Sequence, residues 1–309
     1  MNMRVLISGG RGFVGYYVCK KFREMGHEVF IMSNLSHPSA QTRGQEYIYG
    51  DIRYQHDCDQ AIKDVDIVIH LAAKIHVDRS REFTQPYFDT NILGTYNVLE
   101  ACRKFKKKMI HASSSEALGS YYPDKSLVDG MNEMYRHNPE NPYGTTKAAA
   151  DMLCIGWHNS FKLDVTLLRS FNISGAGQSW DKEGAFLPKI IERVYNNQDI
   201  EIFGGGEQTR DYLWVGDVAE AYYLLAMGDY AGQVFHTGTG REVTINHMAE
   251  TLIKISGKDL KVVHIGARPN EVRRLKCDAS KIRALGWRPT KTAEEILQEM
   301  WKERVSRDK

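Results

Sequence analysis

The chain has 309 residues, 42% hydrophobic and 26% charged, with a formal net charge of +2. That balance is ordinary for a soluble globular protein with room for a large core and a second lobe, and it makes no case for a nucleic-acid or membrane partner. Met1 to Met3 run straight into the first strand, no apolar run approaches a membrane span, and the five cysteines lack metal-ligand spacing, so a cytoplasmic protein with reduced thiols and no metal is expected.

In chain order, residues 4 to 8 read as a buried strand, followed at once by Gly-Gly-Arg-Gly-Phe-Val-Gly. Gly9, Gly12 and Gly15 stand three apart between that strand and a helix with apolar period Val14, Val18, Phe22, the setting a dinucleotide fingerprint requires. One glycine makes the turn, one lets backbone approach pyrophosphate, and one lets helix pack on sheet. The helix N-terminus then faces the phosphates. Further strands are expected over 28–32, 46–49, 66–71, 108–112 and 164–169, with long helices near 88–104 and 143–160. The run 66–71 is apolar almost throughout, as a parallel strand covered on both faces should be. The alternation predicts an α/β fold, a doubly wound parallel sheet of Rossmann type.

Beyond about residue 170 glycines cluster and elements shorten. Residues 1–170 are expected to form a dinucleotide-binding domain, and 171–309 a smaller C-terminal α/β substrate lobe, discontinuous and returning some segments to the sheet. There, 217–227 and 245–255 look helical, while 201–203 and 233–236 look like short strands.

The stretch Tyr143-Gly-Thr-Thr-Lys147 carries the chemistry. A tyrosine and a lysine four apart share a helix face, so the ammonium is expected to lower the phenol's pKa. Moving a phenol from about 10 to about 7 takes roughly 4 kcal/mol, and the product is a general base for a substrate hydroxyl.

Together these motifs give a sequence that resembles, nearly end to end, the extended short-chain dehydrogenase/reductase family in its nucleotide-sugar epimerase/dehydratase branch. The resemblance rests on GGRGFVG (9–15), HLAAKIHVDRS (70–80), NILGTYNVLEAC (91–102), SSSEALG (113–119), YGTTK (143–147), LRSFNISGAGQ (168–178), GEQTRDYLWVGDVAEA (206–221) and RPNEVRR (268–274). It implies that Ser114 hydrogen-bonds the sugar 4-hydroxyl and that Tyr143 takes its proton as hydride passes from carbon 4 to a nicotinamide. Lys147 is implied to hold the nicotinamide ribose. Gly9, Arg11, Gly12, Phe13, Val14, Gly15, Ser33, Asp51, Ile52, Leu71, Ala72 and Ala73 are implied to line the NAD or NADP site. Asn172, Phe203, Arg210, Arg268 and Arg273 are implied to bind a nucleotide-diphosphate sugar, the arginines because a guanidinium fork suits phosphate oxygens. Relatives commonly form homodimers through two helices from each partner, which here are those near 88–104 and 143–160.

Two departures matter. The second strand ends in Ser33 where the family usually has a carboxylate for the NAD ribose, and Arg11 stands in the glycine loop, so the lean is slightly toward NADP. Ser115-Glu116 stands where glucose-type dehydratases carry Asp-Glu, and Glu116 is a candidate extra base. The leading expectation is a 4-epimerase. The alternatives are a 4,6-dehydratase using Glu116, a 4-ketoreductase, and, remotely, a non-catalytic NADP-binding regulator.

Overall fold

The computed structural model describes residues 2–34, 46–123, 129–179, 185–267 and 272–307. Seven strands form one sheet: β1 (Arg4–Ser8), β2 (Glu28–Ser33), β3 (Glu46–Tyr49), β4 (Ile67–His70), β5 (Lys108–Ser114), β6 (Val165–Ser170) and a late strand, Val234–Thr237. The order across the sheet is Val234–Thr237, β6, β5, β4, β1, β2, β3, and every neighbouring pair is parallel. The doubly wound parallel sheet is therefore as the sequence predicts, and the order reverses on either side of β1, where such folds open a crevice at the strands' carboxyl ends.

Both faces of the sheet are buried because alternate residues feed two separate cores. Val5, Ile7, Val29, Ile31, Ile67 and Ile69 enter one, while Leu6, Phe30, Met32, Val68 and Met109 enter the other. Side chains alternate with period two along a strand, so continuous apolar runs are what two covered faces demand. A third core joins the helix Phe186–Tyr195 to Ile245–Ser256 and Ala293–Ser306 through Ile190, Met248, Leu252 and Leu297. The predicted strands at 201–203 and 233–236 and helices at 217–227 and 245–255 are present as Ile200–Phe203, Val234–Thr237, Val215–Met227 and Ile245–Ser256.

The long helix expected over 88–104 is not uniform. A wide π turn spans Phe88–Leu93 before regular helix resumes at Gly94–Phe105. π turns insert one extra residue into the ladder and often mark functional positions. Here the turn carries Asn91 into the interior, where Oδ1 accepts from the Lys74 backbone N–H (2.8 Å) and Nδ2 donates to Lys74 O (3.0 Å) and Thr146 Oγ1 (2.9 Å).

The helix Pro142–Phe161 starts where Asn141 caps it, Oδ1 accepting from the Gly144 N–H at 2.8 Å, with proline in the first position. One turn beyond Lys147 it carries Asp151, fully buried. The Asp151 carboxylate accepts from Arg169 Nε (2.7 Å) on β6 and lies 3.1 Å from His137 Nε2. Burial alone would push this carboxyl up, yet the His137 bond and the Arg169 charge hold it well below the usual range. Among the described residues no helix is long and apolar enough to cross a membrane and no metal-binding cluster occurs.

Asp151→Ala leaves the Arg169 guanidinium buried without its carboxylate and should cost about 3–5 kcal/mol in denaturant unfolding. Because the native carboxyl titrates below its unfolded value, the pair's contribution is present above about pH 3.9 and fades as pH falls further. A wild-type-like midpoint for the variant at neutral pH would count against this account.

Candidate active site

Three elements meet at the carboxyl ends of β4 and β5. β5 ends in Ser114, which caps a short 3₁₀ turn, Ser115–Ala117, its Oγ accepting from the Glu116 N–H at 3.2 Å. The helix Pro142–Phe161 comes down on that turn so closely that a Cβ on Gly144 would stand 2.3 Å from Glu116 O. Ser80 Oγ accepts from the Tyr143 backbone N–H at 3.1 Å and fastens the third side. Ser114, Tyr143 and Lys147 are thereby brought together, and both Tyr143 and Lys147 are buried.

The electrostatics correct the expectation of an acidified phenol. Burial pushes the Tyr143 pKa up to about 12, hydrogen bonding with Ser114 opposes this, and the Glu116 charge adds to it. Lys147 does not offset the burial: its Nζ donates to Ala112 O on β5, and burial brings the ammonium down to about 8 against the pull of Asp151. Spacing placed both groups on one face, but enclosure penalises the charged form of each.

Glu116 is engaged at the helix cap, its carboxylate accepting from Asn141 Nδ2 at 2.7 Å. Its charge still reaches the phenol.

A groove of about 490 Å³ connects to this cluster through Asn91, which bonds both Lys74 of its lining and Thr146 on the Tyr143 helix. Its lining includes every residue implied for the dinucleotide outside the Tyr143 helix: Gly9, Arg11, Gly12, Phe13, Val14, Gly15, Ser33, Asp51, Ile52, Leu71, Ala72 and Ala73. The glycine loop fits a close backbone ligand. Gly9 has φ +74°, and a Cβ on Gly15 would lie 2.4 Å from Gly9 O, so a side chain there would force the loop open. Among the described residues the Arg11 Nε and Nη1 atoms are enclosed with no acceptor, an arrangement that suits an anionic ligand. At the far end, burial pushes the Asp51 carboxyl up, but hydrogen bonds from Arg53 and Asn34 prevail and hold it at about 2. These residues fit a dinucleotide.

The residues implied for the sugar nucleotide lie on segments joined by backbone hydrogen bonds. Ser114 pairs with Ser170 on β6, and Asn172 follows just beyond. Asn172 O accepts from the Leu213 N–H (2.9 Å), and the Thr209 N–H, next to Arg210, donates to Arg273 O (2.9 Å). Asn172 Oδ1 is buried with no partner among the described residues. Phe203 ends the strand Ile200–Phe203, half-exposed, and Gln208 Nε2 donates to its carbonyl (3.0 Å). Arg273 is exposed, and Arg268 lies outside the described residues. The sequence reading missed Ser80, Asn91 and Asp151, which position the helix without the motif residues announcing it. For Ser80 and Asn91 the HLAAKIHVDRS and NILGT stretches were the available signal, and Asp151 lies in neither.

The profile of the NAD dependent epimerase/dehydratase family matches residues 5–238. A dTDP-glucose 4,6-dehydratase of Streptomyces niveus is 32% identical over 305 residues, covering 93% of this chain and 88% of its own. Among solved structures, a UDP-glucose 4-epimerase of Thermotoga maritima, with UDP-glucose, matches at a TM-score of 0.92 and 30% identity, covering 99% of this chain and 100% of that one. A UDP-glucose 4-epimerase of Thermus thermophilus, in complex with NAD, matches at 0.89 and 28%, covering 97% and 98%.

Proposed function

The chain belongs to the NAD-dependent epimerase/dehydratase family, and from that premise we propose that it is an enzyme oxidising a nucleoside-diphosphate sugar at carbon 4, with 4-epimerisation as its reaction. The observation that carries this reading is the enclosure of Ser114, Tyr143 and Lys147 at the end of β5, beside a glycine-lined groove. Ser114 Oγ accepts a backbone N–H and also hydrogen-bonds Tyr143, so a sugar hydroxyl seated against the pair would be within reach of both oxygens. Tyr143 is the proton acceptor, and Lys147 anchors the ribose side. When bound, a nicotinamide dinucleotide supplies the hydride acceptor and a positive charge beside the phenol. The phenol's high pKa in the polypeptide alone means that ionisation at neutral pH depends on charge brought in with the ligands.

A 4,6-dehydratase is the second reading, favoured by the nearness of Glu116 to the phenol. Against it, the Glu116 carboxylate is held at the Asn141 cap. A general base must be within reach of the proton it removes. Asn172, Phe203, Arg210, Arg268 and Arg273 are assigned to the sugar nucleotide, with the chain divided near residue 170 into cofactor and substrate portions. Arg11 supports a preference for NADP, since its enclosed nitrogens lack an acceptor among the described residues and Ser33 offers no carboxylate to repel a 2′-phosphate. A homodimer is assigned to the face where Tyr96, Met152 and Phe161 are exposed and Trp157 stacks edge-on with Tyr96 and Phe161.

Tyr143→Phe should lower turnover by about 10²–10⁴-fold with dinucleotide binding retained; unchanged turnover removes Tyr143 as the base. NMR of the wild-type protein with UDP-, GDP-, dTDP- and CDP-sugars should reveal two interconverting stereoisomers, whereas an accumulating 4-keto-6-deoxy sugar would establish the dehydratase. Titration calorimetry should give a lower Kd for NADP than for NAD, and the reverse order overturns the assignment of Arg11. In sedimentation, a Tyr96→Glu, Met152→Lys variant should run as a monomer where the wild type is a dimer; an unchanged dimer would place the interface elsewhere.

A further inference from the structure

A second cleft, of about 540 Å³, shares no lining residue with the dinucleotide groove. It is formed by the loop that follows the strand Val234–Thr237, by residues 288–294 leading into the helix Ala293–Ser306, and by Arg283 and Tyr212. Four cationic side chains line it, Arg241, Arg283, Arg288 and Lys291, against two carboxylates, Glu242 and Glu294. Both carboxylates are held by groups outside the lining. Glu242 accepts from Arg274 Nε (2.9 Å) and Thr209 Oγ1 (2.5 Å), and Glu294 lies 2.9 Å from His247 Nε2.

The arginines are satisfied differently. Arg283 Nη2 donates to Thr239 O at 2.7 Å, and Arg288 Nη1 donates to Trp287 O at 2.6 Å. Carbonyls satisfy donors without neutralising charge. Among the described residues Arg283 Nε is enclosed with no acceptor and the Arg241 guanidinium has no partner. Lys291 is paired with Glu299 and sits 3.8 Å over the Trp214 ring. Surface arginines are usually just solvated, but three line one concavity with no ion pair among the described residues, even though the buried carboxylates of Asp211 and Asp217 stand behind its Thr239 and Thr290. Guanidinium forks match phosphate oxygens in geometry as well as charge. The volume falls in the range of small-molecule sites and well above what a bare ion fills.

We propose that this cleft is a binding site for a phosphate-bearing small organic molecule, separate from the dinucleotide groove. The test is titration calorimetry of the full chain with glucose 1-phosphate and with inorganic phosphate. Arg241 and Arg288 are exposed, so an Arg241→Ala, Arg288→Ala variant should keep the wild-type Tm. The sugar phosphate should bind saturably, more tightly than inorganic phosphate. The double variant should lose roughly tenfold in affinity, about 1.4 kcal/mol, whereas Arg210→Ala should bind as the wild type does. Absence of saturable binding, equal affinity for inorganic phosphate, an unaffected double variant, or a loss in Arg210→Ala would each overturn the proposal. None of these readouts depends on turnover, so the site stands or falls apart from the epimerase reading.

Discussion

The close descent of the helix Pro142–Phe161 onto the end of β5 is the constraint from which the site follows. Gly144 has no side chain where one would strike Glu116 O, so the helix start and the 3₁₀ turn touch backbone to backbone. That contact sets Ser114 beside Tyr143 and drives Lys147 into the interior. Asn141 joins both partners, capping the helix with its oxygen and holding Glu116 with its amide. The Asp151–Arg169 pair secures the helix one turn further on against β6.

Enclosure has an electrostatic consequence that spacing alone does not convey. A phenol and an ammonium one turn apart help each other ionise only where their mutual attraction exceeds the loss of water. Here the loss of water dominates for both, raising the phenol and lowering the lysine. The same burial that would strengthen a bound positive charge's effect on the phenol keeps the resting phenol protonated, while an ammonium at about 8 still carries its charge at neutral pH. Ionising the phenol therefore calls for more positive charge than the polypeptide places beside it.

Much of the fold was legible because its signals are local. The apolar runs of β1, β2 and β4 follow from two covered sheet faces, and the strand–glycine–helix opening follows from what a tight turn and close packing require. The glycine-loop positions of the groove were legible for the same reason, whereas Ser33, Asp51, Ile52 and Leu71 to Ala73 were reached only through the family resemblance. The π turn at Phe88–Leu93 was not, because its apolar spacing also suits a regular helix, and only packing that draws Asn91 inward distinguishes the two. Nor did anything in the sequence mark Asp151 as the partner of Arg169, 18 residues later on a neighbouring strand.

The sequence by itself determined the parallel sheet, the glycine turn and which residues stand at the strand ends, because period and turn chemistry act over a few neighbouring residues. Tertiary structure alone decided how deeply the tyrosine and lysine are buried, which partner occupies Glu116, and how cationic side chains from separate segments line the second cleft. Protonation and field depend on everything within several ångströms in space, and chain order does not encode that neighbourhood.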